Sequence, residues 1–302
     1  MSYFGEVAAL MTAVSWTVSS LAFESAGKKV GSLSVNLIRL LLAFLFFALL
    51  DYFRRGMFLP LDASVDCWLW LTLSGMVGFL IGDLLLFKAF VVIGARISML
   101  INALSPPITA IVSWMMLGEV LSPMNWVGMA VTLAGISIVI LKHEKNEEDA
   151  SAWGKITTNY SLKGILLALG GAIGQGICLV LSKKGMGEYD AFAASHIRVI
   201  AGMIGFSIMV LALRRKENVW KALQHKPAMK RITLGAVFGP FLGVALSLMA
   251  LQHTEAGIAA TLMSIVPVLI IAPAVLVFHE KVNWKEILGA IITVGGVALF
   301  FL

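Results

Sequence analysis

The feature that most constrains this chain is an apolar skeleton that occurs twice. Residues 75–119 hold two apolar segments joined at a tight Gly94-Ala95 corner; one carries Asp83 and Lys88 and the other is broken by Pro106-Pro107. Shifted by 161 positions, Gly78, Gly82, Ala89, Ala95, Ile97, Pro106, Glu119, Gly128 and Gly135 fall on Gly239, Gly243, Ala250, Ala256, Ile258, Pro267, Glu280, Gly289 and Gly296. One constant shift across that many positions is the mark of an internal duplication. Each segment is long enough to cross a bilayer, which takes roughly 20 apolar residues.

A water-facing surface cannot be assembled from the remainder. Charged residues make up 13% of the chain and hydrophobic ones 59%, whereas soluble domains carry about 25% charged residues. Ten spans are predicted, at about 4–23, 33–50, 69–92, 97–117, 124–141, 162–182, 191–213, 231–252, 256–278 and 284–302, on the usual span length. Lipid offers no partner for open backbone groups, so helices are the default. A transmembrane barrel needs polar and apolar residues in alternation, and runs such as LIRLLLAFLFFALL have none. The chain reads as an all-α membrane protein with ten transmembrane helices as two inverted five-helix repeats. Residues 1–141 form the first repeat (helices 1–5), 142–161 a hydrophilic linker, and 162–302 the second repeat (helices 6–10). Five is odd, so the two repeats run in opposite senses.

Several function classes drop out. The net charge of +6 comes from lysines and arginines in short loops, where lipid headgroups account for them without nucleic acid. Cys67 and Cys178 lie at or within apolar segments without CxxC spacing, so neither a disulfide nor a metal site is expected. The first span lacks a basic n-region and a small-residue cleavage site, which favours a retained helix over a signal peptide. His143, His196, His225, His253 and His279 form no HExxH or Ser-His-Asp pattern, and no Walker motif is present, so neither an enzyme nor an ATP-driven pump is expected.

The candidate site residues are the polar groups that sit inside spans. Ionisable groups there are costly, about 2.5 kcal/mol or more for an arginine on insertion scales, and they normally snorkel or face a polar interior. Arg39 in helix 2 has a counterpart in helix 7, Arg198, beside His196. Their guanidinium forks suit either a substrate carboxylate or a neighbouring carboxylate such as Asp83. Asp83, deep in helix 3, is the candidate proton or cation site; Lys88, five residues on, points some 140° away at about 100° per residue. Asn102 belongs to helix 4, and Trp16 in helix 1 and Gln175 in helix 6 occupy matching slots. Together these give a candidate substrate-binding set of Trp16, Arg39, Asp83, Lys88, Asn102, Gln175, His196 and Arg198. Pro106, Pro107 and Pro267 are candidate gating residues, because interrupted helices in corresponding places of two halves point to a transport site. Glu119 and Glu280 are expected to organise the turns after helices 4 and 9.

On these residues the chain resembles the EamA-type family of the drug/metabolite transporter superfamily. The resemblance rests on two five-helix halves, Trp16 in helix 1, the small-residue helix 3, and the pairs Pro106 with Glu119 and Pro267 with Glu280, each followed by a glycine-bearing last helix. It implies a secondary carrier, mostly an exporter of amino acids, other metabolites or drugs, with a central cavity between the repeats. Thr17 replaces the usual glycine after the tryptophan, and Gln175 replaces an aromatic, so an aromatic cage is not carried over. The expected partners are a small-molecule substrate and membrane lipids, in a monomer or homodimer of the bacterial inner membrane. No cofactor is expected, and coupling to a proton or cation gradient is. The alternative is a passive channel or a lipid scramblase. Loop charge places the odd-numbered loops in the cytoplasm, whereas the resemblance implies cytoplasmic termini.

Overall fold

The computed structural model describes residues 4–117, 122–144, 155–158, 160–253, 262–276 and 282–300. In the first half the described helices are α1 (Phe4–Val30), α2 (Ser32–Arg55), α3 (Val65–Gly75), α4 (Asp83–Asn102), α5 (Ser105–Leu117) and α6 (Pro123–Ile140). The second half holds α7 (Leu162–Met186), α8 (Ala191–Ala212), α9 (Lys216–Gln224), α10 (Lys226–Ala236), α11 (Val244–His253), α12 (Val266–Leu269), α13 (Ile271–Leu276) and α14 (Trp284–Phe300). The expected linker carries a short antiparallel pair, β1 (Leu141–Glu144) with β2 (Lys155–Thr158), in which Leu141 faces Thr158 and Glu144 faces Lys155.

Seven helical stretches among the described residues are long and apolar enough to cross a membrane, against the ten expected. The expected spans not among them are 97–117, 256–278 and 284–302, and the last two include residues outside the described ones. The expected span 97–117 is broken: α4 ends at Asn102, and α5 begins at Ser105 with Pro106 and Pro107 in its first turn, where a missing N–H costs nothing. The prolines therefore start a helix rather than kink one. The described part of span 256–278 is likewise in pieces, α12 and α13, and α14 has 17 residues. Glu119, Glu280, Ala256 and Ile258 lie outside the described residues.

The corner at Gly94 is present inside α4, with φ 82° and ψ 159°, a conformation that glycine adopts without a Cβ penalty. The backbone that restarts after it is capped from α1: the Ala95 N–H donates to Glu24 Oε2 at 2.9 Å, and Glu24 also pairs with Lys28.

Two features absent from the sequence reading join α3 to α4 and α10 to α11. These are π-helical turns over Met76–Gly82 and Val237–Gly243, segments again related by the shift of 161. In each, the residue that restarts the α-helix donates five residues back: Asp83 N–H to Gly78 O, and Val244 N–H to Gly239 O. Such turns recur at functional sites.

Each π turn packs against a helix of the other half. A Cβ on Gly174 of α7 would lie 2.7 Å from Gly82 Cα, and one on Gly243 would lie 2.8 Å from Trp16 Cδ1 of α1. Such small-residue contacts let membrane helices approach closely. At the far side α6 and α14 meet reciprocally. Gly135 abuts Thr293 and the Gly289 carbonyl, while Gly296 abuts Thr132 and the Gly128 carbonyl.

Candidate functional site

The helices enclose a cavity of about 270 Å³, at the small end of ligand pockets, which run to ~300–1,000 Å³. Its wall combines polar groups with aromatic and aliphatic surface from Phe23, Phe79, Leu86 and Phe87. Trp16, Arg39, Asp83, Asn102, Gln175 and Arg198 all line it, and so do Pro106 and Pro267.

The polar centre is built by three helices and a π turn. Arg39 on α2 places Nη2 2.5 Å from Asp83 Oδ2, and the two side chains are 4% and 8% exposed. Asn36, one turn before Arg39, accepts from Arg39 Nε at 3.0 Å, and its own amide donates to Ser32 O and Asp83 O. The second carboxylate oxygen of Asp83 accepts from Gln175 Nε2 of α7 at 2.7 Å. Asp83 is thus held from both halves. A carboxylate buried with a guanidinium and an amide donor has the hydrogen bonds that a buried charge requires. The Arg39 guanidinium also lies over Phe87, with Cζ 4.5 Å from the ring centroid.

Arg198 reaches the same cavity from α8. Its Cζ lies 5.2 Å from the Phe79 centroid, and that of Arg39 lies 5.7 Å from the same ring. Its Nη2 donates to Cys178 Sγ at 3.4 Å, while its buried Nε has no hydrogen-bond partner. Asn102 contributes a buried Oδ1 that is also without a partner.

Three expected residues are not brought there. Lys88 is exposed on α4, as a long amphipathic side chain near a span end allows. His196 is fully buried, but its Nδ1 lies 2.7 Å from Asp51 Oδ2 and its ring stacks on Phe47. It belongs to the α2–α8 contact. His196 and Arg198 are two positions apart, which is roughly 200° around a helix, so they occupy opposite faces; the spacing alone carried that signal. Pro107 is buried without lining the cavity.

Other lining residues escaped the sequence reading. Phe79 was not singled out and Cys178 was expected to form neither a disulfide nor a metal site, yet both meet Arg198 in the cavity. Lys183 lies exposed at the rim. Glu24, which caps Ala95, fell just beyond the predicted end of the first span.

Comparison with known proteins places this arrangement. The uncharacterized transporter YvbV of Bacillus subtilis (strain 168) is 23% identical over 195 residues, which is 64% of this chain and 59% of that protein. The chain thus aligns with less than two thirds of that relative's length. A solved crystal structure matches 99% of this chain and 96% of its own, with a TM-score of 0.63 at 17% identity, a likeness of fold. The EamA-like transporter family matches residues 3–141 and again residues 162–302, so this membrane protein belongs to the EamA-like transporter family, whose members move small molecules across membranes.

Proposed function

We propose that the protein is a secondary carrier working by alternating access, with the cavity around Asp83, Arg39, Gln175 and Arg198 as its substrate chamber. The observation that carries this reading is a buried polar cluster assembled from both halves of the chain inside an otherwise apolar bundle, because groups so costly in a membrane mark substrate and ion pathways. The architecture behind it is ten spans in two inverted five-helix repeats, 1–141 and 162–302, joined by the linker 142–161. The double family match, the paired π turns and the reciprocal contact of α6 with α14 support that architecture.

In this reading the two repeats rock about the chamber. The broken helices that carry Pro106 and Pro267 act as gates, since freed backbone is tolerated at depth only where it faces protein or a wet cavity. The transported solutes are small metabolites such as amino acids, or drugs, moved outward. A proton gradient drives them through Asp83, the carboxylate that lines the chamber.

The test is solute flux into and out of proteoliposomes, using a panel of amino acids and small cations with and without a pH gradient. Uphill movement that depends on the gradient is expected. Downhill leakage of many solutes, indifferent to the gradient, would instead mark a channel.

A further inference from the structure

We propose that Arg198 is the anion anchor of the chamber and that its ligands are small molecules carrying one carboxylate on an apolar body. This rests on the reading of that cavity as the substrate chamber and names the chemistry it selects.

The argument starts from the duplication. Arg39 and Arg198 occupy matching helices of the two halves, but only one has kept a carboxylate. In the first half, the residue that follows the π turn is Asp83, which pairs with Arg39. In the second half, the residue at the same backbone position, with the same N–H bond five residues back, is Val244. The position that holds Asp83 in the first half thus holds an aliphatic side chain in the second, and that side chain lines the same cavity as Arg198.

Arg198 is 5% exposed and, among the described residues, forms no ion pair: Asp83 is near enough to feel its charge, but its two carboxylate oxygens are bonded to Arg39 and Gln175. Its polar contact is the Cys178 thiol, a weak acceptor, and its Nε is unsatisfied while the side chain lines the cavity. A buried cation left in this way is strongly destabilising unless a partner completes it. The planar guanidinium fork matches a carboxylate with two parallel N–H···O bonds. Arg39 cannot serve, because Asp83 and Asn36 already engage it.

Charge and size narrow the ligand further. Asp83 cancels Arg39, so one uncompensated positive charge remains from these three residues. A single carboxylate balances it. A phosphate dianion would leave excess negative charge beside Asp83. The walls formed by Phe79, Leu86, Phe87, Val244 and Met263 suit an apolar body, and about 270 Å³ limits it to a small one.

The test uses the full-length protein in detergent and four probes sharing one apolar body: isocaproate, isocaproamide, isoamylamine and isoamyl phosphate. Ligands that bind the folded state raise the unfolding midpoint in a saturable way. Isocaproate is expected to do so, and the amide, amine and phosphate are not. Arg198→Leu should weaken isocaproate on the order of tenfold to a hundredfold, the range for a charged hydrogen bond, and Arg198→Lys should restore part of it. Val244→Asp, which supplies the missing carboxylate and keeps Arg198, should weaken it as much; this variant keeps the test decisive if Arg198→Leu does not fold. The proposal is overturned if isocaproate fails to stabilise the wild type, if another probe matches it, or if Arg198→Leu or Val244→Asp binds it as the wild type does. Proteoliposome flux separates the two levels of the argument. Arg198-dependent binding without flux defeats the carrier reading and leaves the anchor standing, whereas isocaproate flux unchanged by Arg198→Leu defeats the anchor and leaves the carrier.

Discussion

Arg39 and Asp83 form a buried ion pair across two helices, Nη2 to Oδ2 at 2.5 Å, with Gln175 on the other carboxylate oxygen. Removing one member of such a pair strands a charge, which typically costs about 3–5 kcal/mol. Arg39→Leu and Asp83→Asn are each expected to lower stability by that order. Arg39→Leu combined with Asp83→Asn should recover much of the loss, because no charge is then left alone. Thermal unfolding of the four proteins in one detergent measures the coupling; strict additivity of the two single losses would exclude it.

Asp83→Asn also separates structure from energy coupling. The amide keeps the shape and a hydrogen-bonding oxygen for Gln175 while removing the titratable proton. Under the proposed mechanism, exchange of solute down its gradient persists and uphill transport driven by a pH gradient disappears. Intact uphill transport in this variant would remove Asp83 from the coupling step.

His196 and Lys88 serve as controls for the placement of the site. His196 is buried against Asp51 and Phe47, away from the cavity. His196→Phe leaves Asp51 without that partner and is expected to cost on the order of 1–3 kcal/mol. The ranking of substrates by KM should stay the same. Lys88→Gln, at an exposed position, should change stability by less than about 0.5 kcal/mol. A reordered substrate preference in either variant would contradict this placement.

Glycine substitutions should split according to what a Cβ meets. At Gly174 the added carbon would come within 2.7 Å of Gly82 Cα, whereas at Gly295 nothing lies within 4 Å. Gly174→Ala must push α7 away from the π turn, and overpacking of this kind typically costs about 1–3 kcal/mol. Gly295→Ala adds helix propensity worth up to ~1 kcal/mol without a clash. Unfolding midpoints should therefore move in opposite directions.

Glu24 fixes the corner at Gly94 by capping Ala95. Glu24→Ala removes that acceptor, a loss of roughly 0.5–2 kcal/mol by analogy with helix N-caps. Amide hydrogen exchange over residues 95–98 should rise relative to the rest of α4. Unchanged protection there would mean that Glu24 does not hold the corner.

Much of this protein was legible in the sequence because lipid leaves few choices. Apolar segments of span length must satisfy their backbone internally, so the membrane class and helical content follow from composition alone. The shift of 161 exposed the duplication, Gly94 marked a true corner, and the paired prolines pointed to the breaks beside the cavity. What the chain could not specify is which polar groups meet. Asp83 reaches Arg39 and Gln175 because a π turn changes the helical phase just before it, and a change of one residue rotates everything downstream by about 100°. His196 and Arg198 are near neighbours in sequence but serve different contacts, a buried pair in one case and the cavity in the other. Hydrophobicity and repetition are local properties of the chain and can be read from it. The pairing of buried charges depends on how whole helices are turned and packed against each other, and that was decided only in three dimensions.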